Sequence, residues 1–241
     1  MLKALVVIPT YNEIENIESI IKAIFLLNTT FHILIVDDNS PDGTSKKIEE
    51  LQSIFKDNLF LSIRSKKSGL GTAYVHGFKW ALNEGYDFIF EMDADFSHNP
   101  NDLEKLLYAC QTENADVAIG SRYSTGVNVV NWPLNRVLMS YFASVYVKWI
   151  TGMKIHDATA GFICYKKNVL EKINLDRIKF IGYAFQIEMK YRAYVQKFKI
   201  VEVPIIFTDR TKGQSKMSGS IIREAVFGVI LLRIRKIFNK L

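Results

Sequence analysis

The first half of the chain alternates short apolar runs with segments of helical periodicity. The apolar runs lie at 5–8, 33–36, 59–63, 88–92 and 117–119. Between them, apolar residues recur at helical spacing, as at Ile17, Ile20, Ile21 and Ile24. This order of strands and helices predicts a mostly parallel sheet with helices on both faces. The predicted fold class is therefore α/β, in a Rossmann-like arrangement.

The second half of the chain is less regular. Helices are predicted over 135–150 and 184–196, and strands over 162–165 and 200–207. The last strand contains Pro204, which cannot donate a backbone hydrogen bond, so we expect it at a sheet edge or a bulge. The 241 residues contain neither an internal repeat nor a low-complexity linker. We therefore expect one folding domain.

Charge and cysteine content narrow the class of protein. The 31 Lys and Arg against 25 Asp and Glu give a formal charge of +6, which favours anionic partners such as nucleotides, phosphates or a membrane surface. The two cysteines form no CxxC pair, so no zinc or redox motif is predicted and a reducing compartment is expected. The apolar run at 5–8 is interpreted as a strand rather than part of a signal peptide. No stretch has the length of a membrane-spanning helix.

Polar clusters follow three of the predicted strands. Residues 9–13 follow the first strand, residues 37–40 the second, and Asp93-Ala94-Asp95 the fourth. Ligands of open parallel sheets bind outside the carboxyl ends of the strands. Alternate strand residues point to the same side, so Asp93 and Asp95 can face one cation. Carboxylate oxygens suit Mg²⁺ or Mn²⁺, which bridge diphosphate oxygens. The sequence thus predicts a divalent-cation and diphosphate site at this edge.

Seven segments together carry a family pattern. They are IPTYNE at 8–13, VDDNSPDGT at 36–44, GLGTAY at 69–74, MDADFSH at 92–98, GSRY at 120–123, GYAFQIE at 182–188 and FTDRTKGQSK at 207–216. The chain resembles family 2 glycosyltransferases, and within them the short polyprenol (dolichol) phosphate mannosyltransferases without transmembrane helices. The resemblance implies a GT-A catalytic domain at 1–217 and an amphipathic tail at 218–241 that is not an independent domain.

The resemblance also assigns residues to a GDP-mannose donor. The guanosine would be held by Pro9, Tyr11, Glu13, Val36 and Asp38. The residues implied around the diphosphate are Asp93, Ala94, Asp95 and Ser97, of which Asp93, Asp95 and Ser97 are the candidate metal ligands. The basic residues implied at phosphates are Arg122, Arg210 and Lys216. The predicted catalytic residues are Asp95, Arg122 and Arg210. The loop at 208–220, rich in Gly, Ser and Lys, is predicted to close over the phosphates.

The implied reaction transfers mannose from GDP-mannose to a polyprenyl monophosphate on the cytoplasmic face of a membrane. The metal and the basic groups would stabilise charge on the departing diphosphate. A lipid phosphate is already anionic near neutral pH, so no carboxylate is expected to be an indispensable base. Direct in-line attack inverts the anomeric centre and gives a β-linked product from an α-linked donor. Nucleic acid is not an expected partner.

The tail at 218–241 is apolar and basic. Its continuous apolar run, 225–232, is far shorter than the ~20 residues of a spanning helix. We therefore predict that the tail lies in the membrane interface, with its basic residues at anionic lipids. The helix at 135–150 is a second candidate surface. Packing of both helices on the catalytic core, or docking of the tail on a small membrane-embedded partner subunit, are the alternatives.

Other functions fit parts of the sequence. A polyprenol-phosphate transferase that uses another sugar nucleotide, such as UDP-glucose, would have much the same nucleotide site. A nucleotidyltransferase would need a glycine- and lysine-rich opening loop that the chain lacks. A non-catalytic scaffold or a nucleic-acid-binding module is compatible with the basic charge, but the carboxylates of Asp93 and Asp95 argue against it. Single residues also have structural alternatives: Tyr11 at the sheet edge, Glu13 at a helix N-terminus and Arg122 as a surface charge.

Overall fold

A mostly parallel sheet of seven strands organises the described part of the chain. The computed structural model describes residues 2–210 and 219–238, and the side chains at 183 and 219–225 lie outside that description. The sheet strands are β1 (Ala4–Thr10), β2 (His32–Asp37), β3 (Leu59–Ile63), β4 (Phe88–Glu91), β5 (Val117–Ser121), β7 (Ile163–Lys166) and β8 (Ile200–Pro204). Their order is β3-β2-β1-β4-β7-β5-β8. Strands β6 (Val129–Val130) and β9 (Phe207–Thr208) pair separately.

Helices cover both faces of the sheet. They are α1 (Ile17–Phe25), α2 (Thr44–Phe55), α3 (Leu70–Asn83), α4 (Asp102–Gln111), α5 (Leu134–Thr151), α6 (Lys167–Lys172), α7 (Tyr183–Val195) and α8 (Gly219–Ile237). Successive strand residues point to opposite faces, so Leu5 and Val7 enter one core cluster while Val6 and Ile8 enter the other. The α/β prediction is confirmed.

Several elements between residues 90 and 172 depart from the sequence expectation, and among them β6 and α6 were not predicted. Helix α4 was not predicted, although Leu103, Leu106, Leu107 and Cys110 repeat at helical spacing. Strand β7 is antiparallel to both β4 and β5. Strand periodicity carries no information about direction, so this insertion between two parallel strands could not be predicted. The strand predicted over 200–207 is instead two strands. Strand β8 ends at Pro204 and lies at the sheet edge, as the proline predicts, and β9 belongs to the separate two-stranded sheet.

Gly77 allows α3 to pack closely on β1. A Cβ atom at this position would lie 2.4 Å from Val7 Cγ1. We predict that Gly77→Ala lowers the free energy of unfolding by about 1–3 kcal/mol because the core is overpacked, as measured by urea denaturation. Gly161→Ala is the matched control, since its Cβ would meet nothing closer than 3.5 Å. Equal effects of the two substitutions would contradict the packing explanation.

Over residues 226–237, whose side chains the structure describes, helix α8 packs against the core along one side. Val229 and Leu232 are buried, and a Cβ on Gly228 would lie 2.8 Å from the Phe180 ring. Between residues 226 and 238, the exposed apolar residues are Val226, Phe227, Ile230, Leu231, Ile234, Ile237 and Phe238. Those of α5 are Leu134, Leu138, Met139, Tyr141, Phe142, Val145 and Trp149. Core packing therefore accounts for only part of the apolar surface of these helices. Among the described residues, no helix combines the length and apolarity needed to cross a bilayer.

Candidate active site

The acidic motif lies just beyond β4, at the carboxyl edge of the sheet. Asp93 accepts a hydrogen bond from the Tyr74 hydroxyl at 3.4 Å. Asp95 Oδ1 accepts one from the backbone N–H of Ser97 at 3.1 Å, and Asp95 Oδ2 lies 3.2 Å from Nη2 of Arg210. The structure therefore brings together an acidic pair and a basic residue that are far apart in sequence.

The two carboxylates form a strongly negative centre. Burial, followed by the charge of Asp95, raises the pKa of Asp93 to about 7, and Glu13 contributes in the same direction. The guanidinium of Arg210 offsets this only in part. A divalent cation would relieve the repulsion between the two carboxylates, because it neutralises both.

The donor atoms at this centre fit a hard cation. Asp93 and Asp95 supply carboxylate oxygens, and the hydroxyl of Ser97 is buried without a hydrogen-bond partner in the described part of the chain. Within residues 2–210 and 219–238, no group of three or more His, Cys, Asp or Glu could hold a metal. A cation here would therefore need oxygens from Ser97, substrate or water in addition to the two carboxylates.

The buried His98 side chain contacts the backbone of the acidic motif. Its Nδ1 accepts a hydrogen bond from the backbone N–H of Asp93 at 3.2 Å, and its ring stacks on Phe162 with centroids 4.8 Å apart. Burial lowers the pKa of His98 to about 4, so the imidazole is neutral at pH 7 and Nδ1 can accept. The sequence placed His98 after the motif but did not indicate this contact.

Arg122 is held in place by a buried ion pair. Its Nε and Nη2 lie 2.7 and 2.6 Å from the two carboxylate oxygens of Asp157, and Nη2 also donates to Thr159 Oγ1 at 2.8 Å. Arg122 is 7% exposed and Asp157 is 0% exposed. The alternative that Arg122 is a surface charge is therefore wrong. Asp157 belongs to none of the sequence motifs and lies 35 residues after Arg122, so it was not predicted from the sequence.

Residues predicted to hold the guanosine lie at the ends of β1 and β2. Pro9 pairs in register with Val36, which places these two segments side by side. Glu13 and Tyr11 follow β1 and are partly exposed. Val36 is fully buried in the core, in register with both β1 and β3, so the residue presents no surface to a ligand in this structure.

Asp38 is paired with a basic residue that the sequence analysis missed. Nε of Arg64 lies 2.6 Å from Asp38 Oδ1, and Nη1 of Arg64 donates to Thr72 Oγ1 at 2.8 Å. Arg64 follows β3 directly, at the same edge of the sheet, and that position is the signal that could have found it. The ammonium of Lys67 lies 4.3 Å from the ring centroid of Tyr11 and adds a second positive charge here.

The segment after β9 closes another side of the site. The backbone N–H of Thr208 donates to Ser97 O at 3.4 Å, which places Arg210 beside the acidic motif. The neighbouring Asp209 accepts from Nη1 of Arg136 at 2.9 Å, and the Arg136 guanidinium lies 4.1 Å from the Trp132 ring centroid. Lys216 and most of the loop predicted to close over the phosphates lie outside the described residues.

The sequence profile of glycosyl transferase family 2 matches residues 5–174. A polyprenol monophosphomannose synthase from Mycolicibacterium smegmatis is 48% identical over 227 residues, which are 94% of this chain and 85% of the relative. An undecaprenyl-phosphate mannosyltransferase from Micrococcus luteus is 42% identical over 228 residues, which are 95% of this chain and 93% of the relative. The chain belongs to glycosyltransferase family 2, as the motifs predict.

Solved structures agree on the fold. Glucosyl-3-phosphoglycerate synthase from Mycobacterium tuberculosis, in complex with Mn²⁺, UDP-glucose and phosphoglyceric acid, superposes with a TM-score of 0.70 at 18% identity. The match covers 96% of this chain and 79% of that one. The predicted GT-A fold is confirmed.

Proposed function

We propose that this protein transfers mannose from GDP-mannose to a polyprenyl monophosphate, with inversion at the anomeric carbon. The observation that carries the proposal is the meeting of Asp93, Asp95 and Arg210 at one sheet edge, in a chain whose relatives bear the names of polyprenyl-phosphate mannosyltransferases. The acidic pair suits a metal-bound diphosphate, and Arg210 suits the charge that develops on it.

The proposed donor site uses the residues assigned from the sequence. Pro9, Tyr11, Glu13, Val36 and Asp38 are proposed at the nucleoside, with Val36 buried behind the other four. Asp93 and Asp95 would hold a Mg²⁺ or Mn²⁺ ion, with Ser97 as the third candidate ligand and the backbone of Ala94 at the diphosphate. When bound, the cation would supply charge neutralisation at the leaving diphosphate. Arg210 would stabilise the negative charge of the same diphosphate, and Lys216 is also proposed to contact a phosphate.

The proposed acceptor needs no proton removed before it attacks. A phosphate monoester carries negative charge near neutral pH, so a carboxylate base has no task. Arg122 is proposed to bind phosphate, and the ion pair with Asp157 fixes the guanidinium in one orientation beforehand. Such preorganisation removes the cost of ordering a long side chain during the reaction.

Product analysis tests the proposal directly. Purified protein is incubated with a short polyprenyl phosphate, Mg²⁺ or Mn²⁺, and GDP-mannose, UDP-glucose or other sugar nucleotides in separate reactions. We expect a β-linked mannosyl phosphate from GDP-mannose only. Transfer of glucose from UDP-glucose in preference to mannose would establish the alternative donor, and binding of the donor without any transfer would favour a non-catalytic scaffold.

Arg64 offers a sharper test of the nucleoside site. Arg64→Ala leaves the nearly buried carboxylate of Asp38 without its ion-pair partner. We expect the affinity for GDP to fall about tenfold, because Arg64 no longer holds the Asp38 carboxylate in place for its proposed hydrogen bond to the nucleoside. Hydrogen bonds to charged groups are among the stronger ones. Calorimetric titration with GDP measures the change. Lys66→Ala is the matched control, since Lys66 is exposed. Equal affinities of Arg64→Ala and the wild type would remove Asp38 and Arg64 from the nucleoside site.

The membrane contact is proposed for α8 and α5. Their exposed apolar side chains face away from the core, and a lipid-linked acceptor requires the enzyme to work at the headgroup level. We propose a peripheral position on the cytoplasmic face, with 1–217 as the catalytic domain and 218–241 as the interfacial tail. A small membrane-embedded partner that covers the same apolar face is the alternative.

Substitutions at positions 227 and 238 test this contact better than deletion of 221–241, which would also remove Val229 and Leu232 from the core. Phe227→Ser with Phe238→Ser should weaken sedimentation with neutral phosphatidylcholine vesicles at least tenfold, since each ring contributes about 1.5–3 kcal/mol when fully buried. The control is Leu26→Ser with Ile54→Ser, which removes two exposed apolar side chains elsewhere. Similar vesicle binding by both double variants would contradict the proposed contact.

A further inference from the structure

A basic cavity lies between the C-terminal parts of α7 and α8. Its volume is about 410 Å³. Its lining includes Tyr191, Tyr194, Lys197, Phe198, Arg233 and Lys236. Helix α7 leads into β8, which runs parallel to β5, so the end of α7 lies at the amino edge of the sheet. The acidic motif lies at the carboxyl edge, and the cavity is therefore separate from the candidate active site.

The cations of this cavity have no counter-ion in the described residues. Lys197, Arg233 and Lys236 take part in none of the ion pairs found there, and no Asp or Glu lines the cavity. Like charges grouped in a concave surface create a positive potential that attracts anions. The expected ligand therefore carries negative charge.

Tyr191 supplies an independent sign of a ligand. Its side chain is 0% exposed, and its hydroxyl has no hydrogen-bond partner within the described residues. A buried hydroxyl without a partner is costly, and an oxygen of a ligand in the cavity would satisfy it. The rings of Tyr194 and Phe198 give the same cavity an apolar wall, which suits a ligand that is both anionic and amphiphilic.

We propose that this cavity binds the phosphate headgroup of an anionic membrane lipid. The inference rests on the proposed membrane contact of α8. Arg233 and Lys236 share the last turns of α8 with Ile234, Ile237 and Phe238, which are exposed and which the proposed function places at the lipid surface. A phosphate at the headgroup level is then within reach of the cavity, whereas a soluble phosphate would have no reason to bind beside this apolar surface.

The location gives the cavity a role in orienting the enzyme. Helix α8 has 19 residues and spans about 28 Å at 1.5 Å per residue. Its Gly228 lies against Phe180, whose carbonyl oxygen lies beside Gly71 at the start of α3, near the carboxyl edge of the sheet, and its last turns reach the cavity. A headgroup bound at the far end would hold α8 parallel to the membrane and so keep the carboxyl edge of the sheet close to the lipid-linked acceptor.

Vesicle sedimentation with and without phosphatidylglycerol in phosphatidylcholine tests the proposal. We expect Arg233→Gln with Lys236→Gln to reduce the preference for anionic vesicles about 30-fold, from about 1 kcal/mol per basic residue at the surface. Binding to neutral vesicles should be retained. The control Lys46→Gln with Lys56→Gln removes the same charge from exposed residues of α2 and of its C-cap, and should retain the anionic preference.

Tyr191→Phe separates a specific site from diffuse attraction, because it changes no charge. We expect it to reduce the anionic preference about fivefold, the value of one hydrogen bond, with a melting temperature no lower than that of the wild type, since the hydroxyl removed has no partner in the described residues. The proposed site would be overturned if Tyr191→Phe kept the wild-type preference for anionic vesicles and the two double variants lost that preference equally. Stabilisation of the wild type, but not of Tyr191→Phe, by glycerol phosphate or inorganic phosphate without vesicles would overturn the lipid assignment.

Activity distinguishes this proposal from the proposed function. Transfer of mannose to a short polyprenyl phosphate in detergent should be the same in wild type, Tyr191→Phe and the Arg233→Gln, Lys236→Gln variant. Absence of transfer by the wild type would overturn the proposed reaction and leave the vesicle result intact. Loss of transfer in the cavity variants alone, in detergent, would show that the cavity serves the chemistry and would overturn its assignment to a membrane lipid.

Discussion

Asp95→Asn is expected to reduce kcat at least 100-fold while the protein stays folded. The amide removes one negative charge from the acidic pair, offers a poorer metal ligand and no longer attracts Arg210, which lies 3.2 Å from the carboxylate. Loss of one electrostatic contact of this kind costs about 10²–10³ in kcat. Mannosyl transfer at saturating donor, with Mg²⁺ and Mn²⁺ each in excess, measures the effect.

The control for this variant is Asp176→Asn. Asp176 is an exposed carboxylate whose partner is Lys79, remote from the acidic motif. It should keep wild-type kcat, and circular dichroism should show both variants folded. Near-wild-type turnover by Asp95→Asn in excess metal would contradict the assignment of a cation to Asp93 and Asp95.

Asp157→Asn is expected to lower the free energy of unfolding by about 3–5 kcal/mol, because it removes the carboxylate that binds the buried guanidinium of Arg122 through two hydrogen bonds. The remaining charge is that of Arg122, which is 7% exposed. Denaturant titration at pH 7 measures the effect. The control is Asp209→Asn, which breaks the more exposed pair with Arg136 and should cost about 1 kcal/mol or less. Similar losses in both variants would contradict a special role for burial.

Acid should diminish the difference between Asp157→Asn and the wild type. Burial alone would raise the pKa of Asp157, but the guanidinium of Arg122 outweighs burial and lowers that pKa below the ordinary value of 3.8. A lowered pKa in the folded state adds stability above the unfolded-state pKa, and that stability is lost as pH falls through the folded-state value. The difference in unfolding free energy should therefore be constant near neutral pH and shrink below about pH 4.

Local patterns in the sequence predicted the elements that build the donor site. The apolar runs before residues 9–13, 37–40 and 93–95 became β1, β2 and β4, and all three clusters lie at the carboxyl edge. Parallel strands bring their carboxyl ends to one edge, so the order of elements was sufficient for this prediction. Helix α4 was also predictable in this way, because its buried apolar residues repeat at helical spacing.

The fold class, the family and the position of the acidic pair were predictable from the sequence, because strand and helix periodicity and short motifs are properties of neighbouring residues. The distant groups that hold those residues in place were identified from the folded chain. Arg64 meets Asp38 across 26 residues and Asp157 meets Arg122 across 35, in contacts set by strand order, register and the antiparallel insertion of β7. The basic cavity likewise exists only where the ends of α7 and α8 meet, since its cations and Tyr191 share no local pattern.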